Sequence, residues 1–259
     1  MNRIEKVFKE KKKNILSIFY TAGFPHLHDT LPIAKALEEA GADLIEIGIP
    51  FSDPIADGPV IQNSNKIALN NGMTLSLLLL QVEEIRKQVS LPIILMGYLN
   101  PVLQYGMEQF VKDAQKAGVD GLILPDMPLY ESEFAYRDLF EEAGLLQTFL
   151  ISPTTDEARI QRIDGISKGF IYAVSATSTT GVRKGFQPEQ IEYFRRLEKM
   201  KLQNPFLVGF GISDHATFRE ACTFGAGAIV GSAFIRLLES ASHLEKDIHH
   251  FVKELRGNE

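Results

Sequence analysis

Leu44-Ile45-Glu46-Ile47-Gly48-Ile49 runs directly into Pro50-Phe51-Ser52-Asp53-Pro54-Ile55-Ala56-Asp57-Gly58-Pro59, a β-branched segment followed by a proline-rich loop. Isoleucine at every second place reads as a strand, because successive side chains of an extended chain point to opposite faces. Ile45, Ile47 and Ile49 form the face suited to a covering layer of helices, and Leu44, Glu46 and Gly48 face the other way. Upstream, Leu31 to Ala40 has helical spacing and ends in Ala40-Gly41-Ala42-Asp43, where glycine suits a left-handed helix stop.

The same strand-and-helix unit recurs in both directions. Strands are expected at Ile15 to Ala22, Leu44 to Ile49, Pro92 to Gly97, Gly121 to Leu124, Gln147 to Ile151, Gly169 to Val174, Pro205 to Gly209 and Ala228 to Val230. Helices are expected at Leu31 to Ala40, Leu75 to Val89, Met107 to Ala117, Glu131 to Ala143, Asp156 to Ile166, Pro188 to Met200, His215 to Thr223 and Leu244 to Leu255. No Pro/Ser-rich linker or charge block interrupts them, so no domain boundary is drawn. The length of 259 residues suits a β/α barrel, which takes about 250. The expected fold class is therefore α/β, a single-domain (β/α)8 TIM barrel over residues 1–259 with a short additional N-terminal helix. An open doubly wound sheet is the runner-up, but its dinucleotide-binding form needs Gly-x-Gly-x-x-Gly after the first strand. The nearest match, Gly225-x-Gly227-x-x-x-Gly231, has the wrong spacing and precedes a strand.

Composition narrows the function. A hydrophobic content of 45% supports a sizeable core, and a net charge of −6 argues against nucleic acid or anionic membrane as a partner. The single cysteine, Cys222, cannot form an internal disulfide, and no apolar run approaches the roughly 18 residues of a spanning helix, so a cytoplasmic location is expected. The basic N-terminus contains Glu5 and Glu10 and lacks a cleavage-site pattern, so it reads as a short surface helix with Ile4, Val7 and Phe8 on one face.

Glu46 is the first candidate for chemistry. Burial raises a carboxyl pKa toward neutrality, which suits general acid/base work. The alternatives are a structural glutamate paired to a hidden Lys or Arg, or a slipped register that turns it outward. Asp57 lies among Pro50, Pro54 and Pro59, where Asp, Pro and Gly are also ordinary turn chemistry, and Asp53 shares that ambiguity. Three glycine-containing turns follow strands six to eight: Ser178-Thr179-Thr180-Gly181, Gly209-Phe210-Gly211-Ile212-Ser213 and Gly231-Ser232-Ala233. Barrels commonly hold phosphate there on backbone N–H groups and a helix N-terminus, the alternative being glycines that only make turns or pack a helix on a strand. Arg183 and Lys184 are either added positive charge or solvated loop cations, and the backbone is the favoured anchor.

These phrases, together with Phe19-Tyr20-Thr21-Ala22-Gly23-Phe24-Pro25 and Ile61-Gln62-Asn63-Ser64, resemble tryptophan synthase alpha subunits along nearly the whole chain. The Pro-Phe-Ser-Asp-Pro-x-Ala-Asp-Gly-Pro block is the most specific part of the match. The resemblance implies retro-aldol cleavage of indole-3-glycerol phosphate to indole and glyceraldehyde 3-phosphate, with no metal or organic cofactor in this chain. It assigns catalysis to Glu46 and Asp57, puts Tyr172 near the glycerol chain, and lines the indole pocket with Phe19. It gives Gly181, Phe210, Gly211, Gly231 and Ser232 to the phosphate and puts Thr180 in a loop over the site. Asp53 and Pro54 correspond to contacts with a pyridoxal-phosphate beta subunit, in an alpha2beta2 complex. A stand-alone lyase releasing free indole and a non-catalytic phosphate-binding barrel are the rival functions. His26 with His28 and His249 with His250 carry no metal signature, because no third ligand stands at a defined spacing, and Cys222 reads as small-residue packing in a helix with nothing nearby to activate a thiolate.

Overall fold

The computed structural model describes residues 1–175 and 185–257. Its strands are β1 (Ile15–Thr21), β2 (Leu44–Gly48), β3 (Ile93–Met96), β4 (Gly121–Ile123), β5 (Leu146–Gln147), β6 (Leu150–Ile151), β7 (Ile171–Val174), β8 (Phe206–Gly209) and β9 (Gly227–Val230). All pairings are parallel, in the order β5-β4-β3-β2-β1-β9-β8-β7-β6. β5 and β6 are the two halves of the fifth expected strand. Thr148 N–H still donates to Leu122 O at 3.0 Å, and Phe149 O accepts from Tyr172 N–H at 2.9 Å. One chain segment thus joins both ends of the sheet, and the barrel closes with eight strands.

Strand alternation separates two cores. Ile15, Leu44, Ile94, Ile123, Phe170, Leu207 and Ile229 pack together inside the barrel. Leu16, Ile18, Ile45, Ile47, Leu95, Val208 and Val230 pack outward against helices. β2 therefore has the expected register, with Glu46 on the interior face.

The N-terminal helix, Arg3–Glu10, differs from the surface element expected. Ile4 is fully buried within the inner core, and Phe8 stacks on Phe170 at 5.5 Å, so the helix plugs the N-terminal mouth of the barrel. Burying an isoleucine stabilises by about 2 kcal/mol, enough to hold the apolar stripe inward while the lysines stay in water. Asn2 caps the helix and ties it to the carbonyls of Asp120 and Gly144. Arg3 pairs with Asp120 at 2.9 Å, and Arg86 grips the other oxygen of the same carboxylate.

Helices at Pro59–Asn70, Leu99–Tyr105 and Ser232–Ser240 are additional to those expected. The last two begin just beyond the C-terminal ends of β3 and β9, and the first follows the ten-residue loop 49–58 after β2. The expected helix at Glu131 to Ala143 is instead Leu129–Glu131, a π-helical turn at Ser132–Tyr136, and Arg137–Glu142.

Candidate active site

Glu46, at the middle of β2, is fully buried. Its Oε1 accepts a hydrogen bond from Ser17 Oγ on β1 at 2.7 Å, and its Oε2 has no partner among the described residues. No described Lys or Arg pairs with it, so no ion pair among the described residues accounts for its burial. Loss of water pushes its pKa from 4.5 to about 7, with the Ser17 bond pulling the other way. An acid poised near neutrality can give and take a proton with little driving force lost.

Asp57 is reached through the loop after β2. Asp57 N–H donates to Pro54 O at 3.0 Å, and Gln62 Nε2 donates to Asp57 O at 2.8 Å, so the turn is tied to the Pro59–Asn70 helix. Tyr98 Oη donates to Asp57 Oδ2 at 3.1 Å and accepts from Ala56 N–H at 3.0 Å. Burial raises the Asp57 pKa to about 6, against the lowering effect of the Tyr98 bond. Tyr98 escaped the sequence reading. Its signal was position: an aromatic following the third strand, at the barrel end where chemistry collects. Phe51 packs on its ring at 5.1 Å.

Tyr172 rises from β7 and is 5% exposed. Burial, then the charges of Glu46 and Asp57, raise its pKa well above the ordinary phenol value, so the three groups act on one another. Gly209 on neighbouring β8 makes room for this ring, since a Cβ there would collide with it.

A pocket opens beside Asp57, at the C-terminal ends of the strands. Phe19, Ile49, Ile61, Met96, Leu150 and Phe210 give it apolar walls, and Asp57, Asn65 and Tyr98 place polar groups in it. Such a chamber suits a flat, mostly apolar ring with one polar edge.

The phosphate candidates lie beside it. Phe210 and Gly211 both have positive φ, 64° and 76°, and Phe210 O accepts from Ser175 Oγ at 2.8 Å. On the adjacent β9, Gly231 precedes the Ser232–Ser240 helix, and no side chain caps that helix, leaving first-turn N–H groups for an anion. Thr180, Gly181, Arg183 and Lys184 lie outside the described residues. The structure thus brings Glu46, Asp57, Tyr172, Phe19, Phe210, Gly211, Gly231 and Ser232 to one barrel mouth.

Asp53 is exposed, as a contact residue requires, whereas Pro54 is buried within this chain. Between Pro54 and Asp57, Ile55 is 89% exposed, a large apolar side chain at the tip of the same loop. His26 pairs with Asp29, His249 with Glu39 and His250 with Glu254. Among the described residues no three His, Cys, Asp or Glu side chains group to hold a metal ion, and no helix is long and apolar enough to cross a membrane. The buried Cys222 thiol is pushed up to about 11 by burial, away from reactivity.

A family model described as tryptophan synthase alpha chain matches residues 6–258. The tryptophan synthase alpha chain of Flavobacterium johnsoniae is 51% identical over 257 residues, covering 99% of this chain and all of the relative. That of Flavobacterium psychrophilum is 50% identical over 255 residues, covering 98% and 100%. Among solved structures, tryptophan synthase subunit alpha from Legionella pneumophila superposes with a TM-score of 0.89 at 34% identity, covering 100% of this chain and 98% of that one. Tryptophan synthase from Mycobacterium tuberculosis, in its aminoacrylate-bound form, gives a TM-score of 0.86 at 29% identity and 98% coverage of both chains. A barrel of this register, with two carboxylates poised near neutrality at its mouth and near-complete overlap with these proteins, belongs to the tryptophan synthase alpha chain family of carbon–carbon lyases.

Proposed function

We propose that Glu46, Asp57 and Tyr172 perform the family reaction, cleavage of indole-3-glycerol phosphate to indole and glyceraldehyde 3-phosphate, in the pocket lined by Phe19. The observation that carries this reading is a pair of carboxylates whose pKa values burial raises toward neutrality: Glu46 on the inner face of β2 with Ser17 as its donor, and Asp57 in the wall of the apolar pocket with Tyr98 as its donor.

Indole leaves poorly until its C3 is protonated. Glu46 in its acid form delivers a proton to C3, which puts positive charge on the indole N1–H. Asp57 stabilises that charge, an electrostatic task that fixed groups in a closed site perform well. The carboxylate of Glu46 then takes the proton of the glycerol hydroxyl that becomes the aldehyde. The C3–C1′ bond breaks and its electrons restore the aromatic ring. One proton is given and one taken, so Glu46 ends as it began. Tyr172, held protonated by its surroundings, lies beside the glycerol chain and shares in these transfers.

Phe210, Gly211, Gly231 and Ser232 hold the phosphate, with Thr180 and Gly181 completing the site. The backbone turn at Gly211 supports this: a Cβ there meets nothing closer than Ser175 Oγ at 3.8 Å, so a larger side chain would occupy the phosphate's approach. Gly211→Val should weaken glycerol phosphate binding about tenfold through the strained positive φ and the lost approach. Calorimetry checks this, with a phosphate-free indole ligand as the control that should change less.

The chain works with a beta subunit in an alpha2beta2 complex. Pyridoxal phosphate resides in that partner, and Asp53 and Ile55, exposed on either side of the buried Pro54, face it. A cytoplasmic setting accords with the single cysteine. Purified chain incubated with indole-3-glycerol phosphate should release indole and glyceraldehyde 3-phosphate in equal amounts, with chelator present. Binding without product would leave the non-catalytic phosphate-binding barrel instead.

A further inference from the structure

Ser17 breaks the apolar row that β1 turns into the barrel. Ile15 and Phe19, two places to either side, also lie on that inner face, yet Ser17 is polar and completely buried. It is paired in register with Leu44 and Ile229, one step toward the N-terminal mouth from the Phe19–Glu46 pair. Its sole side-chain hydrogen bond among the described residues is the 2.7 Å bond to Glu46 Oε1. A buried hydroxyl with one acceptor spends its proton there, because leaving it unpaired costs more than any small gain from packing.

We propose that Ser17 is a positioning residue for the cleavage: by donating to Oε1 it fixes the Glu46 carboxyl plane and leaves Oε2 as the oxygen that carries the exchanged proton. The inference rests on Glu46 being the acid/base group. With its Oε1 lone pair engaged, protonated Glu46 holds its proton on Oε2, the atom without a partner among the described residues. The other ionisable groups facing this part of the barrel mouth, among the described residues, include Tyr172, on β7, Asp57, on the loop after β2, and Tyr98, just after β3, which donates to Asp57. From the adjoining strands the register partners of Glu46 are the apolar Phe19 and Ile94.

Removing a donor from a carboxylate disfavours its charged form, so its pKa rises. Ser17→Ala should move the Glu46 titration upward by about one pH unit, the equivalent of one lost hydrogen bond. It should lower kcat about tenfold with KM nearly unchanged, since the substrate does not touch Ser17. Ser17→Thr, which keeps the hydroxyl, should restore both. The titration is read directly from the 13C shift of the Glu46 carboxyl in enriched protein and independently from the pH profile of kcat/KM. Glu46→Gln is measured in parallel. If that variant removes the limb while Ser17→Ala leaves limb and carbon shift in place, Ser17 is only structural and the inference fails alone. If Glu46→Gln retains the limb, the acid/base reading falls and takes this one with it.

Discussion

Glu46→Gln should reduce the cleavage rate at least about 1,000-fold, the upper part of the range for a general acid/base, while making the fold less sensitive to alkali. The amide preserves shape and still accepts the Ser17 bond, but it neither gives nor takes the proton. The stability effect follows from the same burial. Glu46 titrates near 4.5 when unfolded and at about 7 in the fold, so the folded state favours its protonated form. That contribution is fully present below pH 4.5 and is lost as pH rises through 7. Wild-type protein should therefore lose about 3 kcal/mol more than the variant between pH 4.5 and pH 8. The unpartnered Gln NH2 shifts the variant's stability by a constant amount and leaves this difference intact. Urea unfolding across the range, beside steady-state assays of indole release, measures both effects. Near-wild-type turnover would remove Glu46 from the chemistry. Parallel stability curves would mean that the carboxyl is not held protonated by the fold.

The barrel and its inward carboxylate were legible because they follow from short-range alternation. A strand with isoleucine at every second place shows which face Glu46 occupies before any partner is known. What stayed hidden depends on residues far apart in the chain. Tyr98 and Asp57 are separated by 41 positions, and nothing local announces their bond. Ser17 was readable in principle as a polar residue among inward apolar ones, but its partner stands on the next strand. The Pro59–Asn70 helix has a proline at its start, yet Gln62-Asn63-Ser64-Asn65 blurs the apolar period that would mark it. At the other mouth, the spacing of Ile4, Val7 and Phe8 revealed an apolar stripe without saying what covers it. The barrel's own open end does. Pro54 shows the same limit in a loop. The family resemblance made it a contact residue beside Asp53, but the turn folds it inward and presents Ile55.

That exposed tip underlies the second large effect: addition of a beta subunit should raise the cleavage rate by at least about 5-fold, in or beyond the roughly 5- to 150-fold span of ordinary allosteric couplings, since a rate effect need not obey the binding limit. Asp57 is held by one hydrogen bond from Tyr98 and through the Gln62 bond to its carbonyl, while Asp53 and Ile55 on the same turn stand in solvent. The turn is anchored on its inner side and open on its outer side. A partner closing over Asp53 and Ile55 buries apolar surface only when the turn has the shape that it recognises. If that shape also sets Asp57 against the indole nitrogen, docking and catalysis draw on one conformational equilibrium. A partner shifts such an equilibrium only by its difference in affinity for the two states, so the contact residues, not the catalytic ones, set the size of the activation. Asp53→Ala should consequently reduce the activation several-fold while changing the isolated chain's rate by less than about twofold, because an exposed carboxylate outside the pocket does little for the chemistry. Titrating beta subunit into a steady-state cleavage assay, with complex formation followed by sedimentation, separates the possibilities. A flat rate in the presence of proven complex would disconnect the turn from Asp57 and leave a lyase that works on its own. A rise that Asp53→Ala does not diminish would move the coupling to another surface. A rise that the substitution cuts while basal turnover holds would locate the link in the turn itself, where one stretch of chain carries the docking tip at Ile55 and the carboxylate of Asp57 two residues apart.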